Sequence, residues 1–177
     1  ASDVYKRQSI ASVRAGNVIG GGDWALDRII PDCIRALESN KPIEIRNPKA
    51  IRPWQHVLEP LSGYMLLASK MWDEPTKYCE GWNFGPRAES ITSVWKVATK
   101  VIENYNNRGE LRDISDPDAL HEARLLMLDI SKAKFLLGWE PRMNINQCVA
   151  LTIDWYKGYK QNSIYELCLN EISTFLV

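Results

Sequence analysis

The chain has 177 residues, enough for one domain or a substantial piece of a larger one, and its 45% apolar share is ample for a core. Twenty-two basic residues balance twenty-two acidic ones, which leaves no net field to draw nucleic acid or an anionic membrane surface. Cys33, Cys79, Cys148 and Cys168 are dispersed without a CxxC pair, so no metal site and no disulfide framework are expected, and four reduced cysteines suit a cytoplasmic protein.

No apolar run approaches the ~20 residues a membrane helix needs, and the N-terminus lacks an apolar signal core. Residues 1–8 begin without Met and look like the translation of a sequencing-library adapter. They are expected to be non-native, and the domain to be read is 9–177, a piece of a longer protein.

Ser12 to Trp24 is the stretch around which the rest is organised. Val13, Ala15, Val18 and Ile19 predict a short buried strand, and Gly20-Gly21-Gly22 a turn that allows positive φ or close backbone approach. Asn17 lies between them, near the end of the sheet where α/β folds take ligands. A helix is expected through Cys33, Ile34 and Leu37, with Pro31 in its first turn, and Ile43 to Arg46 alternates like a half-buried strand. Arg52 to Val57 reads as extended. Leu58 to Met71 reads as a helix whose Leu58, Leu61, Met65 and Ala68 form one apolar stripe.

Gly81 to Pro86 is a short strand closed by a Gly-Pro turn. Val94, Val97, Ala98, Val101, Ile102 and Tyr105 recur at helical spacing over about 92–105, with Ser90 or Thr92 as the expected cap. A small strand at Leu125 to Leu128, a short helix from Ser131 stopped by Gly138, and helices near 146–160 and 164–175 complete the chain. The pattern favours α/β, with too few strands for a whole doubly wound sheet, so either the domain is α+β or part of the sheet is missing.

Two motifs are decoys. Gly20 to Ala25 fits GxGxxA, with Glu44 about where a ribose-binding carboxylate is expected, but Asp23 would then face a pyrophosphate and the helix starts too late to meet the glycines. Tyr156 and Lys160 form a YxxxK pair, but on an amphipathic helix far from any cofactor strand; a core tyrosine and a solvated lysine explain them better. The arginines carry more. Arg28, Arg46 and Arg52 fall at element boundaries, Arg52 beside Pro53 and Trp54, and guanidinium forks suit a diphosphate. His56 and His121 are more economically read as hydrogen-bonded structural residues than as bases.

Several stretches together resemble a known family. Arg14 to Trp24, Arg28 to Asp32, Ile45 to Pro48, Arg52 to Val57, Trp82 to Pro86, His121 to Ala123 and Leu137 to Pro141 look, in that order, like the CDP-glucose 4,6-dehydratases. That family sits within the extended short-chain dehydrogenases, and the likeness runs from Ser9 to the C-terminus. It implies an α/β fold that is the C-terminal part of such an enzyme: an incomplete Rossmann sheet with a mixed α/β substrate-binding domain. It also implies a lyase that uses NAD to turn CDP-D-glucose into CDP-4-dehydro-6-deoxy-D-glucose and water, on a route to deoxysugars of surface polysaccharide. The full-length protein is expected to be a cytoplasmic homodimer or higher homo-oligomer.

By the same resemblance, Asn17 would meet the sugar nucleotide's phosphate and Arg52 the diphosphate, with Trp54 beside it. Arg28 would line the nucleotide, Glu44 to Arg46 would border the cytosine, and His121 and Glu122 would lie near the same pocket; Val18 would touch the cofactor. The family's GxxGxxG loop, its Thr/Ser-Tyr-Lys set and its acid/base pair precede the Arg14 to Val18 strand and have no counterpart here, and Arg124 departs from the family pattern. No catalytic residue is therefore assigned, and the chain alone is expected to be inactive. The alternatives are a related NAD-dependent sugar-nucleotide epimerase or dehydratase, a stand-alone sugar-nucleotide binding module, and a poorly folded remnant.

Overall fold

The structure, a computed structural model, describes residues 9–117 and 125–177. The first strand departs at once from expectation. It is two strands, β1 (Ser12–Ala15) and β2 (Asn17–Ile19), divided at Gly16. β1 pairs in parallel with β5 (Gly81–Phe84), whereas β2 pairs in parallel with β4 (Ile51–His56), placing Asn17 opposite Trp54. Only glycine permits the change of partner, since a Cβ at position 16 would lie 2.4 Å from the Pro53 carbonyl oxygen. A side chain there would push the strands apart.

The predicted burial of this strand is also corrected. Val13 and Val18 are both more than a third exposed, and among the described residues β1 and β2 each have a strand neighbour on one side only. Parallel strands ordinarily have both faces covered.

Helix α1 (Ile29–Glu38) follows the glycine turn, with Pro31 in its first turn, and buries Ile30, Cys33, Ile34 and Leu37. β3 (Ile43–Ile45) runs parallel to β7 (Leu111–Asp113), a strand that three residues are too short to announce by periodicity. β6 (Ile91–Ser93) pairs antiparallel with β4. It takes up Thr92, so α3 (Val94–Tyr105) is capped instead by Ser93, whose Oγ accepts from the Lys96 N–H. The strand expected at 125–128 is reduced to one bridge, Leu125 to Ile51. A π-helix (Ala133–Leu137) ends at Gly138 with φ +71°, and α4 (Ile145–Gly158) and α5 (Ile164–Leu176) close the chain.

Two cores result. The larger joins α1, α3 and α4 to β2, β3 and β4 through Ile34, Val97, Val149, Ile153 and Trp54. The smaller packs Leu67 of α2 (Leu58–Asp73), Trp82, Phe84 and Trp139. Here the predicted stripe is wrong: Leu61, Met65 and Ala68 face outward, and the buried face carries Glu59, Gly63 and Leu67. The reason lies at Gly63, where an added Cβ would sit 2.3 Å from the Phe84 ring, so the helix lies on its small-residue side.

Buried Glu59 adds a second constraint by accepting from the N–H groups of Arg142 and Met143, at 2.8 and 2.6 Å, which fixes the entry to α4. Burial still raises its carboxyl above the ordinary 4.5, although these two bonds oppose the shift. No helix among the described residues is long and apolar enough to cross a membrane.

Candidate functional site

A cavity of about 730 Å³ opens between β2, β4, the β3 end and the N-terminus of α1. Asn17, Val18, Arg28, Arg46, Arg52 and Trp54 all line it, so every candidate residue within the described part of the chain meets in one place. His121 and Glu122 lie outside the described residues.

Each lining group is delivered by a separate local feature. Asn17 is the first residue of β2, directly after the glycine pivot. Arg52 and Trp54 project from the same strand, β4, two residues apart and therefore on one face. Arg52 is nearly buried, and its Nη1 donates to the Ile51 carbonyl at 3.0 Å. Trp54 is a wall rather than a donor to a ligand, because its indole N–H is taken by the Thr92 carbonyl at 3.0 Å. Arg28 is the N-cap residue of α1, and the first turn of that helix, Ile29 to Pro31, also faces the cavity. A helix N-terminus beside an arginine favours an anion.

The glycine turn, whose Gly20 lines the cavity, is also held by close packing. A Cβ on Gly21 would fall 2.1 Å from the Trp155 ring, and one on Gly20 would fall 2.9 Å from Val57. The turn is thus pressed onto α4, and of its three glycines Gly22 has the positive φ, +80°. At Gly21 the GxGxxA pattern thus serves packing. Among the described residues, no group of three or more His, Cys, Asp or Glu side chains is placed to hold a metal ion.

The loop from Gly20 to Arg28 is anchored by Tyr156, read from sequence as a core tyrosine, and by Trp24, Tyr159 and Arg35, to which the sequence assigned no such role. Trp24 packs edge-on against Tyr156, centroids 5.2 Å apart, and against Tyr159 at 5.1 Å. Tyr156 Oη donates to the Asp23 carbonyl, and Arg35 donates to the carbonyls of Trp24 and Ala25 at 3.1 and 3.2 Å. Burial pushes the Tyr156 hydroxyl up to about 12, the direction opposite to that of a catalytic phenolate. Lys160 is exposed and pairs with Glu38 at 2.8 Å, so the YxxxK pair is a loop anchor next to a surface ion pair.

Asp23 and Asp27 complete the rim. Asp23 Oδ2 accepts from Arg28 at 3.0 Å, and Asp27 Oδ1 accepts from Arg46 at 2.6 Å. Among the described residues, the lining contains Asp and Glu but no Tyr, Ser, Thr, His, Lys or Cys. Its three arginines are groups that can recognise an anion.

No family model matches the chain. It is 45% identical over 168 residues to the CDP-glucose 4,6-dehydratase of Salmonella typhimurium (strain LT2), a match covering 94% of this chain and 46% of that enzyme. The chain therefore spans about half the length of the curated relative it matches. Among solved structures, the dTDP-glucose 4,6-dehydratase of Bacillus anthracis in complex with NAD superposes with a TM-score of 0.68 at 18% identity, over 85% of this chain and 45% of that one. The UDP-glucuronic acid 4-epimerase of Bacillus cereus, in complex with UDP-glucuronic acid and NAD, gives 0.71 at 18% identity, over 89% and 49%. At such identities these two structures speak for the fold. Over the span the two share, the chain is similar to CDP-glucose 4,6-dehydratase, and it has the α/β fold of these two solved structures.

Proposed function

We propose that this chain is the sugar-nucleotide-binding part of a NAD-dependent dehydratase acting on CDP-glucose, and that the cavity beside β2 and β4 receives the nucleoside diphosphate. The observation that carries the reading is the convergence of Asn17, Arg28, Arg46 and Arg52 on one cavity. Three guanidinium forks match the oxygens of a diphosphate, and the N-terminus of α1 adds favourable dipole and N–H groups. The cytidine and glucose parts come from the likeness to CDP-glucose 4,6-dehydratase.

In this reading the whole enzyme converts CDP-glucose into CDP-4-dehydro-6-deoxyglucose and water. By the resemblance, the family's GxxGxxG loop and its Thr/Ser-Tyr-Lys set precede the Arg14 to Val18 strand, and among the described residues the cavity lining holds no tyrosine or histidine. Hydride transfer and proton transfer are therefore assigned to parts of the enzyme outside these residues, and binding without turnover is expected of the chain alone. His121 and Glu122, a homo-oligomeric assembly and a cytoplasmic location belong to the same reading through the resemblance. So does the division of the chain into 1–8 and 9–177.

Isothermal calorimetry of the folded chain with CDP-glucose, dTDP-glucose and UDP-glucose tests the proposal. CDP-glucose should bind best. Arg52→Ala should weaken it roughly tenfold or more, since a hydrogen bond to a charged group contributes about 1.5–3 kcal/mol. A folded protein that takes up none of the three would refute the reading. Preference for dTDP- or UDP-glucose would favour a related dehydratase or epimerase, a reading suggested by the solved structures that share the fold.

A further inference from the structure

The cavity carries more negative charge than a diphosphate site calls for. Asp23, Asp27, Asp32 and Glu44 line it alongside Arg28, Arg46 and Arg52. Two of these carboxylates already sit on the guanidinium groups that a phosphate would use: Asp23 on Arg28, and Asp27 on Arg46.

The two pairs are held very differently. Asp23 is fixed at three points, since its carbonyl accepts from Tyr156 Oη, its Oδ1 accepts from the Ala25 N–H at 3.0 Å, and its neighbour Trp24 is packed against Tyr156 and Tyr159. Asp27 has none of these ties among the described residues. Its side chain is 74% exposed and meets Arg46, itself 67% exposed, across nineteen positions of sequence. Its backbone has φ +63°, a left-handed conformation that Asp and Asn adopt more readily than other side chains. The pair thus bridges the mouth of the cavity from the glycine loop to the end of β3, with both side chains mostly exposed.

We propose that Asp27 is an exchangeable counter-ion for Arg46, a proposal that rests on reading the cavity as a nucleoside-diphosphate site. Its carboxylate neutralises the guanidinium and orients it over the cavity, and a phosphate oxygen of the ligand takes its place on binding. An exposed ion pair contributes little, so the exchange is inexpensive, and a diphosphate carries more charge to the guanidinium than the carboxylate it replaces. Asp23, by contrast, is a positioning residue for Arg28 and stays in place. Asp27 therefore sets a threshold: ligands with too little negative charge to displace it gain nothing from Arg46.

Calorimetric titration with CDP of the wild type, D27N, R46Q and the double variant, at low and high salt, tests this. Asparagine tolerates the left-handed backbone and preserves side-chain shape while removing the charge. D27N should bind CDP about two- to fivefold more tightly at low salt, and the gain should shrink as salt screens the pair. On the R46Q background D27N should bring no gain, and uncharged cytidine should not distinguish wild type from D27N. Weaker CDP binding by D27N would mean that Asp27 holds the ligand directly and would overturn the proposal, as would unchanged binding or a gain that survives R46Q. A wild-type chain that binds no CDP refutes the reading of the cavity itself, whereas wild-type binding with no gain in D27N refutes the counter-ion alone.

Discussion

Replacing Gly21 by alanine separates two uses of the glycine turn. The new Cβ would lie 2.1, 2.3 and 2.6 Å from Cγ, Cδ2 and Cδ1 of Trp155. Carbon atoms in good contact sit about 3.5–4 Å apart, so ring and loop must separate by more than an ångström. Trp155 has little room to move, being buried, stacked on Tyr159 with an interplanar angle of 3°, and edge-on to Tyr156. Overpacking of this kind costs about 1–3 kcal/mol. At roughly 2–4 °C per kcal/mol for a chain of this size, Tm should fall by about 2–12 °C. Thermal unfolding followed by circular dichroism measures the shift. Removing the side chain beyond Cβ should remove the clash, so Gly21→Ala should cost under about 0.5 kcal/mol on a Trp155→Ala background. An unchanged Tm combined with weaker CDP-glucose binding would show that the glycine serves a ligand and that the packing argument is wrong.

Two further outcomes follow from buried groups. Tyr156 should ionise near 12 in an alkaline ultraviolet titration, against the ordinary 10.0. Because folding favours its protonated form, its contribution to stability is full below pH 10 and is lost as pH rises from 10 toward 12, so Tyr156→Phe should flatten the decline in that window. Burial likewise raises Cys33 and Cys148 to about 12, while Cys168 is exposed and Cys79 partly so. A thiol reagent at pH 8 should therefore modify Cys79 and Cys168 in the native protein, and the other two only after unfolding.

Helices with strong periodicity were legible from sequence. Val97, Ala98 and Val101 marked α3, and Gly138 marked the end of the π-helix. The site residues could be nominated because arginines at element boundaries beside glycine and proline have few structural uses. What escaped is non-local. The three-residue strands β6 and β7 exist by pairing with partners dozens of positions away, and no local pattern encodes them. The outward stripe of α2 was misassigned because hydrophobicity does not register the shape of Gly63 against Phe84. Asp27 was missed for a similar reason: an aspartate in a loop is unremarkable until its partner Arg46 is brought beside it.

Gly16 has a consequence beyond the steric one. Because β1 and β2 are one uninterrupted run of chain, Asn17 is indexed twice, by the β1–β5 ladder before the pivot and by the β2–β4 ladder after it. A slip of one residue in either ladder would carry Asn17 about 3.3 Å along the sheet and turn its side chain to the opposite face. Neither slip can occur without breaking the other ladder. The strand works as a splice between two sheets, and the position of the cavity's asparagine is set by agreement between them.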